Sequence, residues 1–219
     1  MIAVGAAGMV CSVIASQASL TYVNETGANG EPTLNTIMNT VYGANYTRVD
    51  DSIDQIWNLV SPTGTASLDA IYAGNSQALY TTDLLGNQKA GPIISVNGGG
   101  YISPGSATGT IAPTVNPFLF MDNSPNTSAT YWSSDPSLNS DLLDHMVTFE
   151  ITGGTDAGDY VIAFEDLPHD VSDLDYNDFV VQVSGVAPVP ESTTIIAGAL
   201  LFLPLGVSTF RILRRNRMA

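Results

Sequence analysis

Acidic and amide side chains are concentrated between two apolar segments, Tyr160–Phe164 and Phe179–Val183. The acidic and amide residues of this stretch are Glu165, Asp166, Asp170, Asp173, Asp175, Asn177 and Asp178. Carboxylates this close repel one another unless a cation lies among them or the loop extends into water. Oxygen ligands suit a hard cation, and Ca²⁺ accepts about six to eight of them in flexible geometry, which favours it over Mg²⁺. We therefore predict a calcium site formed by Glu165, Asp166, Asp173, Asp175, Asn177 and Asp178.

The spacing within this stretch indicates what kind of calcium loop to expect. Asp173, Asp175 and Asn177 stand at i, i+2 and i+4, as at the start of an EF-hand loop. Asp178 then occupies the position of the required glycine, Ser184 stands where the final glutamate would be, and a strand pattern follows instead of a helix. We expect a metal loop within a β-hairpin. The alternative is a solvated turn, because Asp and Asn are common turn residues.

The sequence contains few signs of other catalytic chemistry. Neither G-x-S-x-G nor H-E-x-x-H occurs. The two histidines, His145 and His169, are isolated in the sequence, so neither a Ser-His-Asp triad nor a zinc site is indicated. We expect each histidine at the surface or at the edge of a strand.

A glycan-active enzyme is the alternative function. Glu165 and Asp175 would serve as its acid and base if they lay about 5–9 Å apart in a cleft. Their crowding in one loop, rather than on separate strands facing a groove, favours a non-catalytic role. Tyr131 and Trp132 form a candidate sugar-contacting pair, with packing in the core or at its rim as the alternative.

The elements that position this loop are predicted to be strands. Short apolar runs are divided by Gly, Asn, Ser, Thr and Pro at intervals of about ten residues, which is typical of all-β proteins. We predict an all-β fold, a single jelly-roll-like β-sandwich over residues 19–187. Its candidate strands are Leu20–Val23, Ala66–Ala73, Gln77–Thr81, Pro92–Val96, Phe118–Met121, Met146–Ile151, Tyr160–Phe164 and Phe179–Val183.

One or two short helices are expected beside the strands. Leu34, Ile37, Met38 and Val41 fall at i, i+3, i+4 and i+7, which predicts a helix over Thr33–Tyr42, and Ser52–Trp57 is a second candidate. Residues 97–100 and 104–109 are rich in glycine and are predicted to be loops. Neither has the spacing of a phosphate-binding loop.

The charge distribution restricts the partners. All 21 acidic residues lie between Glu25 and Glu191, where Arg48 and Lys89 are the only basic residues, giving 2 − 21 = −19 for that segment. A surface this acidic repels nucleic acid and anionic lipid and attracts cations. The one cysteine is Cys11, so a chain without its N-terminal segment has no disulfide to stabilise it.

Both ends of the chain have the features of export segments. Ile2–Ala15 is uncharged and apolar, and Ser16 and Ala18 place small residues at a cleavage site, which predicts a signal peptide over residues 1–18. At the other end, the uncharged run Thr193–Phe210 would form a helix of roughly 27 Å, close to the thickness of a bilayer core. Four arginines follow it and predict a cytoplasmic C-terminus: Arg211, Arg214, Arg215 and Arg217.

The C-terminal order of features resembles the PEP-CTERM sorting signal. The residues that carry this resemblance are the motif Val189, Pro190 and Glu191, the predicted transmembrane helix 193–210 and the basic tail 211–217. The usual motif is V-P-E-P, and Ser192 replaces its second proline. The resemblance implies a sorting segment over residues 188–219, recognised by an exosortase-type enzyme in bacteria that make exopolysaccharide.

The acidic loop resembles a second family. Phe164-Glu165-Asp166 and the run from Asp173 to Asp178 match the pattern F-E-D…D-x-D-Y-N-D of a bacterial extracellular domain family of unknown function. The resemblance covers about residues 115–185, with Asp144–Phe149 as the strand that the family places before the segment Tyr160–Val183. It implies a β-sandwich with a calcium site and no established activity.

Together these features predict an exported protein of the cell envelope or the exopolysaccharide matrix. It would pass through an inner-membrane intermediate and act as a calcium-stabilised structural or binding component rather than as an enzyme.

Overall fold

The computed structural model describes residues 20–27, 30–124 and 131–190 of the 219-residue chain. This part of the chain is mostly β, with one α-helix, α1 (Leu34–Tyr42), and one 3-10 turn, Pro136–Leu138. Its strands are β1 (Tyr46–Arg48), β2 (Trp57–Leu59), β3 (Gly64–Ile71), β4 (Gln77–Thr82), β5 (Ala90–Val96), β6 (Tyr101–Ile102), β7 (Thr108–Ile111), β8 (Leu119–Asn123), β9 (Trp132–Ser133), β10 (Met146–Ile151), β11 (Tyr160–Phe164), β12 (Phe179–Ser184) and β13 (Val186–Pro188).

The described strands form three sheets. The largest has the order β1-β10-β11-β12-β3-β6, with β7 also paired with β3. A four-stranded sheet has the order β5-β4-β8-β9, and β13 pairs with β2. The strand pairs are antiparallel, including the central pairs β10–β11 and β11–β12.

The main core lies between the two larger sheets. Side chains such as Leu68, Ile162 and Val181 from the seven-stranded sheet join Leu79 and Phe120 from the four-stranded sheet in one fully buried cluster. Each such side chain contributes about 1.5–3 kcal/mol when it leaves water. This sheet-on-sheet arrangement is consistent with the predicted β-sandwich.

Helix α1 covers the opposite face of the seven-stranded sheet. The side-chain oxygen of Thr33 accepts a hydrogen bond from the Thr36 amide at 3.2 Å and caps its first turn, and Gly43 ends it with φ of 63°. The buried face of α1, with Ile37 and Met38, packs in a second cluster with strand residues such as Val161. Because both faces of this sheet are covered, most residues of β11 and β12 are buried.

The structure confirms seven of the eight predicted strands and the first predicted helix. Leu20–Val23 is not a strand. Ser52–Trp57 is not a helix: the Asp50 carboxylate accepts the Ser52 amide at 2.9 Å in a turn, and Trp57 begins β2. The predicted loop 104–109 ends inside β7.

The predicted export segments fall mostly outside the described residues. These segments are the predicted signal peptide 1–18 and all residues from Glu191 onward, which include the predicted helix 193–210 and the four arginines. Val189 and Pro190 follow β13, and the Val189 amide donates to the Ile56 carbonyl at 2.7 Å. Within the described ranges, no helix combines the length and the apolar character needed to cross a bilayer.

Candidate metal centre

Two neighbouring strands hold both ends of the acidic loop. β11 and β12 are antiparallel, and Phe164 pairs with Phe179, so residues 165–178 connect adjacent strands as predicted for a hairpin. Both phenylalanines are fully buried in the main core. The carboxylates that follow Phe164 and precede Phe179 are therefore fixed relative to each other by the sheet.

The loop carboxylates form two clusters that share one residue. One oxygen each of Glu165, Asp166 and Asp178 lie within 4.8 Å of one another, and the same holds for Glu165, Asp173 and Asp175. Glu165 thus belongs to both clusters. Asn177, the sixth predicted ligand, donates from Nδ2 to an Asp175 oxygen at 2.6 Å. Asp170 is exposed and belongs to neither cluster.

Two buried oxygens at this centre make no hydrogen bond to any described residue. They are Oε2 of Glu165, a residue that is 1% exposed, and Oδ1 of Asn177, which is 0% exposed. Leaving a buried acceptor unsatisfied costs about 1–3 kcal/mol, and more when the group is charged. Among the described residues, no lysine or arginine forms an ion pair with the loop carboxylates. A cation bound at the centre would give such an oxygen a partner.

Burial makes the negative charge of these groups costly. It raises the pKa of Glu165 to about 7, with further increases from the charges of Asp173 and Asp166. It likewise raises the pKa of Asp175 to about 7, with Asp173 and Glu165 adding to the effect. The pKa of Asp178 is raised well above its usual range by burial and by the charge of Glu165. The centre is therefore stable when its charge is neutralised, by protons or by a bound cation.

The loop backbone is unusual around Asp175. Its two neighbours, Leu174 and Tyr176, have φ of 60° and 54°, in the left-handed region that large side chains seldom adopt. Asn24 supports this conformation, because its amide donates to the Leu174 carbonyl at 2.7 Å and its Nδ2 donates to the Asp173 carbonyl at 3.0 Å. Such conformations cost about 1–3 kcal/mol each and are found mostly at functional sites.

Asp166 is anchored by a polar network between the sheets. Its Oδ2 accepts Gln77 Nε2 at 2.5 Å and Ser124 Oγ at 3.1 Å, and its carbonyl accepts Trp132 Nε1 at 2.8 Å. The fully buried Asp122 lies close enough for the Asp166 charge to add to the effect of burial in raising the pKa of Asp122. Our sequence analysis missed Asp122, although an aspartate inside the apolar run of β8 is a recognisable signal.

The histidines differ from the prediction. His145 is fully buried, and its ring stacks on Trp132 with 3.5 Å between ring centroids. Its Nε2 lies 2.9 Å from an Asp141 oxygen, its Nδ1 lies 3.0 Å from the Glu165 carbonyl, and its centroid is 4.7 Å from that of His169. Burial lowers the pKa of His145. A surface position is therefore wrong for His145, which directly precedes β10, because the loop folds back over the start of that strand; His169 is half-buried.

The pair Tyr131 and Trp132 does not form a joint sugar-stacking surface. Trp132 is fully buried against His145, so neither face of its indole is available to a ligand. Tyr131 is 36% exposed, and the ammonium group of Lys89 lies 3.1 Å from its ring centroid. The packing alternative is thus correct for Trp132, whose ring is enclosed and stacks on His145.

The fold and the loop define a mostly-β protein with an acidic hairpin centre. Residues 111–186 match the model of a family described as a domain of unknown function (DUF4114). This agrees with the predicted resemblance over about residues 115–185 and is consistent with an extracellular domain. The match includes β8 to β12 and the whole acidic loop. No curated protein and no solved structure matches the chain.

Proposed function

We propose that this chain is an exported protein of the cell envelope or exopolysaccharide matrix, built on a calcium-stabilised β-sandwich of jelly-roll type. Its role is structural or binding rather than catalytic. The proposed sorting signal is the C-terminal segment from residue 188. An exosortase-type enzyme recognises this segment while the protein is an intermediate at the inner membrane. The apolar run Ile2–Ala15 and the C-terminal order of motif, apolar run and arginines support this compartment, and the acidic composition of residues 25–191 suits a protein that attracts cations.

The observation that carries the calcium proposal is the environment of Glu165. Its carboxylate belongs to both loop clusters, it is 1% exposed, and its Oε2 has no hydrogen-bond partner among the described residues. An unpartnered oxygen on a buried anion destabilises the fold, whereas a Ca²⁺ ion would bind several of these oxygens at once. The oxygen-only donor set fits this ion.

The same burial supports a non-catalytic role. Glu165 and Asp175, the acid–base pair of the alternative enzyme, are each 1% exposed. Glycosidases need their two carboxyl groups on opposite sides of a scissile bond in an accessible cleft. A sugar ring would not reach between two buried side chains of one loop.

Thermal unfolding in the presence and absence of calcium tests the proposal. We expect EDTA to lower the Tm of the full chain and added Ca²⁺ to restore it, because the ion binds the folded state only. Glu165→Gln and Asp175→Asn should reduce this response strongly. Asp170→Asn is the matched control, since it changes an exposed acid of the same loop and should keep the full response. A Tm that is unaffected by EDTA and Ca²⁺ in the wild type would refute the calcium site.

The proposed compartment needs a separate experiment. Cell fractionation, combined with intact-mass measurement of the native protein, reports the compartment and both processing sites together. We expect an envelope or extracellular protein that starts after Ala18 and has lost its basic tail. A cytosolic protein with both ends uncut would refute the export proposal and leave the calcium result unaffected.

A further inference from the structure

A third group of carboxylates lies outside the acidic loop. Asp51 and Asp54 belong to the turn between β1 and β2, and Asp144 stands two residues before β10. One oxygen of each lies within 4.8 Å of the others. Asp51 is 5% exposed and Asp54 is 1% exposed. Asp51 and Asp54 also lie outside the range that matches the known family, residues 111–186.

The described neighbours compensate this group only in part. Arg48 Nη2 contacts Asp51 Oδ1 at 2.8 Å, and the Thr21 amide donates to the other Asp51 oxygen. The Met146 amide donates to one Asp144 oxygen at 3.1 Å, and the Thr21 hydroxyl lies 3.3 Å from the other. One guanidinium therefore faces three carboxylates.

Asp54 forms no ion pair among the described residues, and its compensation is limited to the nearby Thr148 hydroxyl and the charge of Arg48, both of which act to lower its pKa. Its Oδ2 is buried and has no hydrogen-bond partner among the described residues. Its position is nevertheless fixed, because the buried Trp57 Nε1 donates to the Asp54 carbonyl at 2.5 Å. Burial, followed by the charge of Asp144, raises the pKa of Asp54 well above its usual range. A rigidly held, buried carboxylate with a free oxygen is the environment that a cation would stabilise.

We propose that Asp51, Asp54 and Asp144 form a second site for a hard divalent cation, Ca²⁺ before Mg²⁺, separate from the acidic loop. The free Asp54 oxygen and one oxygen each of Asp51 and Asp144 supply the protein ligands, with water completing the shell. The all-oxygen donor set excludes soft metals as the preferred occupants. The alternative occupant is a proton shared between Asp54 and Asp144.

The two tryptophans of the chain make the two sites separately observable. Trp57 donates to the carbonyl of Asp54, and Trp132 donates to the carbonyl of Asp166 in the loop centre. Each indole therefore touches a residue of one site. Tb³⁺, which takes Ca²⁺ sites, emits when a nearby excited tryptophan transfers energy to it. In a Trp132→Phe protein, tryptophan excitation reports mainly on the Asp54 site.

The experiment uses the full chain carrying Trp132→Phe, with Tb³⁺ alone as the probe and Ca²⁺ as competitor. We expect Tb³⁺ emission that Ca²⁺ displaces, that persists in Glu165→Gln, and that falls at least tenfold in Asp54→Asn. Asp50→Asn is the matched control from the same turn and should retain the emission. Equilibrium dialysis with Ca²⁺ should show one equivalent fewer bound to Asp54→Asn than to Asp50→Asn.

Circular dichroism first establishes that each variant folds, and Asp144→Asn replaces Asp54→Asn if the latter does not. No emission from the Trp132→Phe protein, or emission and stoichiometry that are unchanged by the aspartate substitution, would overturn the proposal and favour the shared proton. Loss of emission with Glu165→Gln as well would show that only the loop binds the ion. If the acidic loop binds no calcium, the test of the Asp54 site is still valid, because Trp57 lies at the Asp54 site and Trp132 at the loop.

Discussion

The hydroxyl of Tyr176 donates a hydrogen bond of 2.7 Å to the carbonyl oxygen of Asp144. This bond joins the acidic loop to a residue of the second carboxylate group, and the Tyr176 side chain is fully buried. His169 Nε2 lies 2.9 Å from the same carbonyl, so this oxygen keeps one partner if the tyrosine hydroxyl is removed. The bond is a direct physical connection between the two candidate sites.

We expect Tyr176→Phe to lower the free energy of unfolding by about 1 kcal/mol, the typical value of one buried hydrogen bond. Urea unfolding measures the change. Tyr22→Phe is the control, because Tyr22 is 68% exposed and its hydroxyl should contribute nothing measurable. Equal stabilities of the two variants would contradict a structural role of the Tyr176 hydroxyl.

A second prediction concerns pH and the pair Asp69 and Tyr42. Asp69 is 1% exposed and accepts a hydrogen bond of 2.6 Å from the Tyr42 hydroxyl. Burial raises the pKa of Asp69 to about 7 in the folded state, against about 3.9 for an unfolded chain. Because the folded state holds the proton more tightly, this group favours folding at low pH, and its contribution is lost as the pH rises from about 4 to about 7.

Asp69→Asn should therefore be more stable than the wild type at pH 8, and this advantage should shrink toward pH 5. The difference between the two pKa values corresponds to on the order of 4 kcal/mol at most. Thermal unfolding of both proteins at the two pH values measures it. Tyr42→Phe should have the opposite dependence and destabilise more at pH 8, where the carboxylate is charged and needs its donor. A Tm difference that is independent of pH would refute the assignment.

A third prediction follows from the close approach of β7 to β5. A Cβ atom added at Gly109 would lie 1.9 Å from the Ile93 carbonyl oxygen, which is backbone and has little room to move. We expect Gly109→Ala to destabilise the fold by about 3 kcal/mol through overpacking. Gly74→Ala is the control, because nothing lies within 4 Å of its added Cβ. Chemical denaturation that gives equal values for both would contradict the packing of these strands.

A fourth prediction tests the start of helix α1. The Thr33 hydroxyl accepts the Thr36 amide at 3.2 Å, so Thr33→Ala should cost about 1 kcal/mol by leaving that amide without its cap. Thr33→Ser retains the hydroxyl and should be close to the wild type. If urea unfolding gives the same loss for both, the methyl group and not the cap is responsible.

Local patterns predicted the longer elements well. The strands β10 and β11 and the apolar face of α1 have clear periodicity, and the turn residues around them set their bounds. A predicted element failed where the structure depends on contacts between residues far apart in the sequence. Ser52–Trp57 has an apolar spacing compatible with a helix, but Trp57 pairs with Pro188 in β2–β13, far along the chain.

The candidate site was predicted only where its residues are close in sequence. Glu165 to Asp178 form one dense segment, so the loop is visible without a structure. Asp122 and Asp54 are single acids in other segments. The proximity of Asp122 to Asp166 arises from the packing of one sheet on the other, and that of Asp54 to Asp144 from the pairing of β1 with β10. The burial of His145 could not be predicted either, because it depends on Trp132 lying inward at the neighbouring sheet.

The pairing of β13 with β2 determines how a pulling force on the C-terminal side would enter this domain. Three consecutive residue pairs, Val186 with Leu59, Ala187 with Asn58 and Pro188 with Trp57, connect the last described strand to the early part of the chain. Tension applied after Pro190 would first load this short ladder and the Val189–Ile56 hydrogen bond. Along the chain, the ladder therefore lies between such a load and β12, the strand that follows the acidic hairpin.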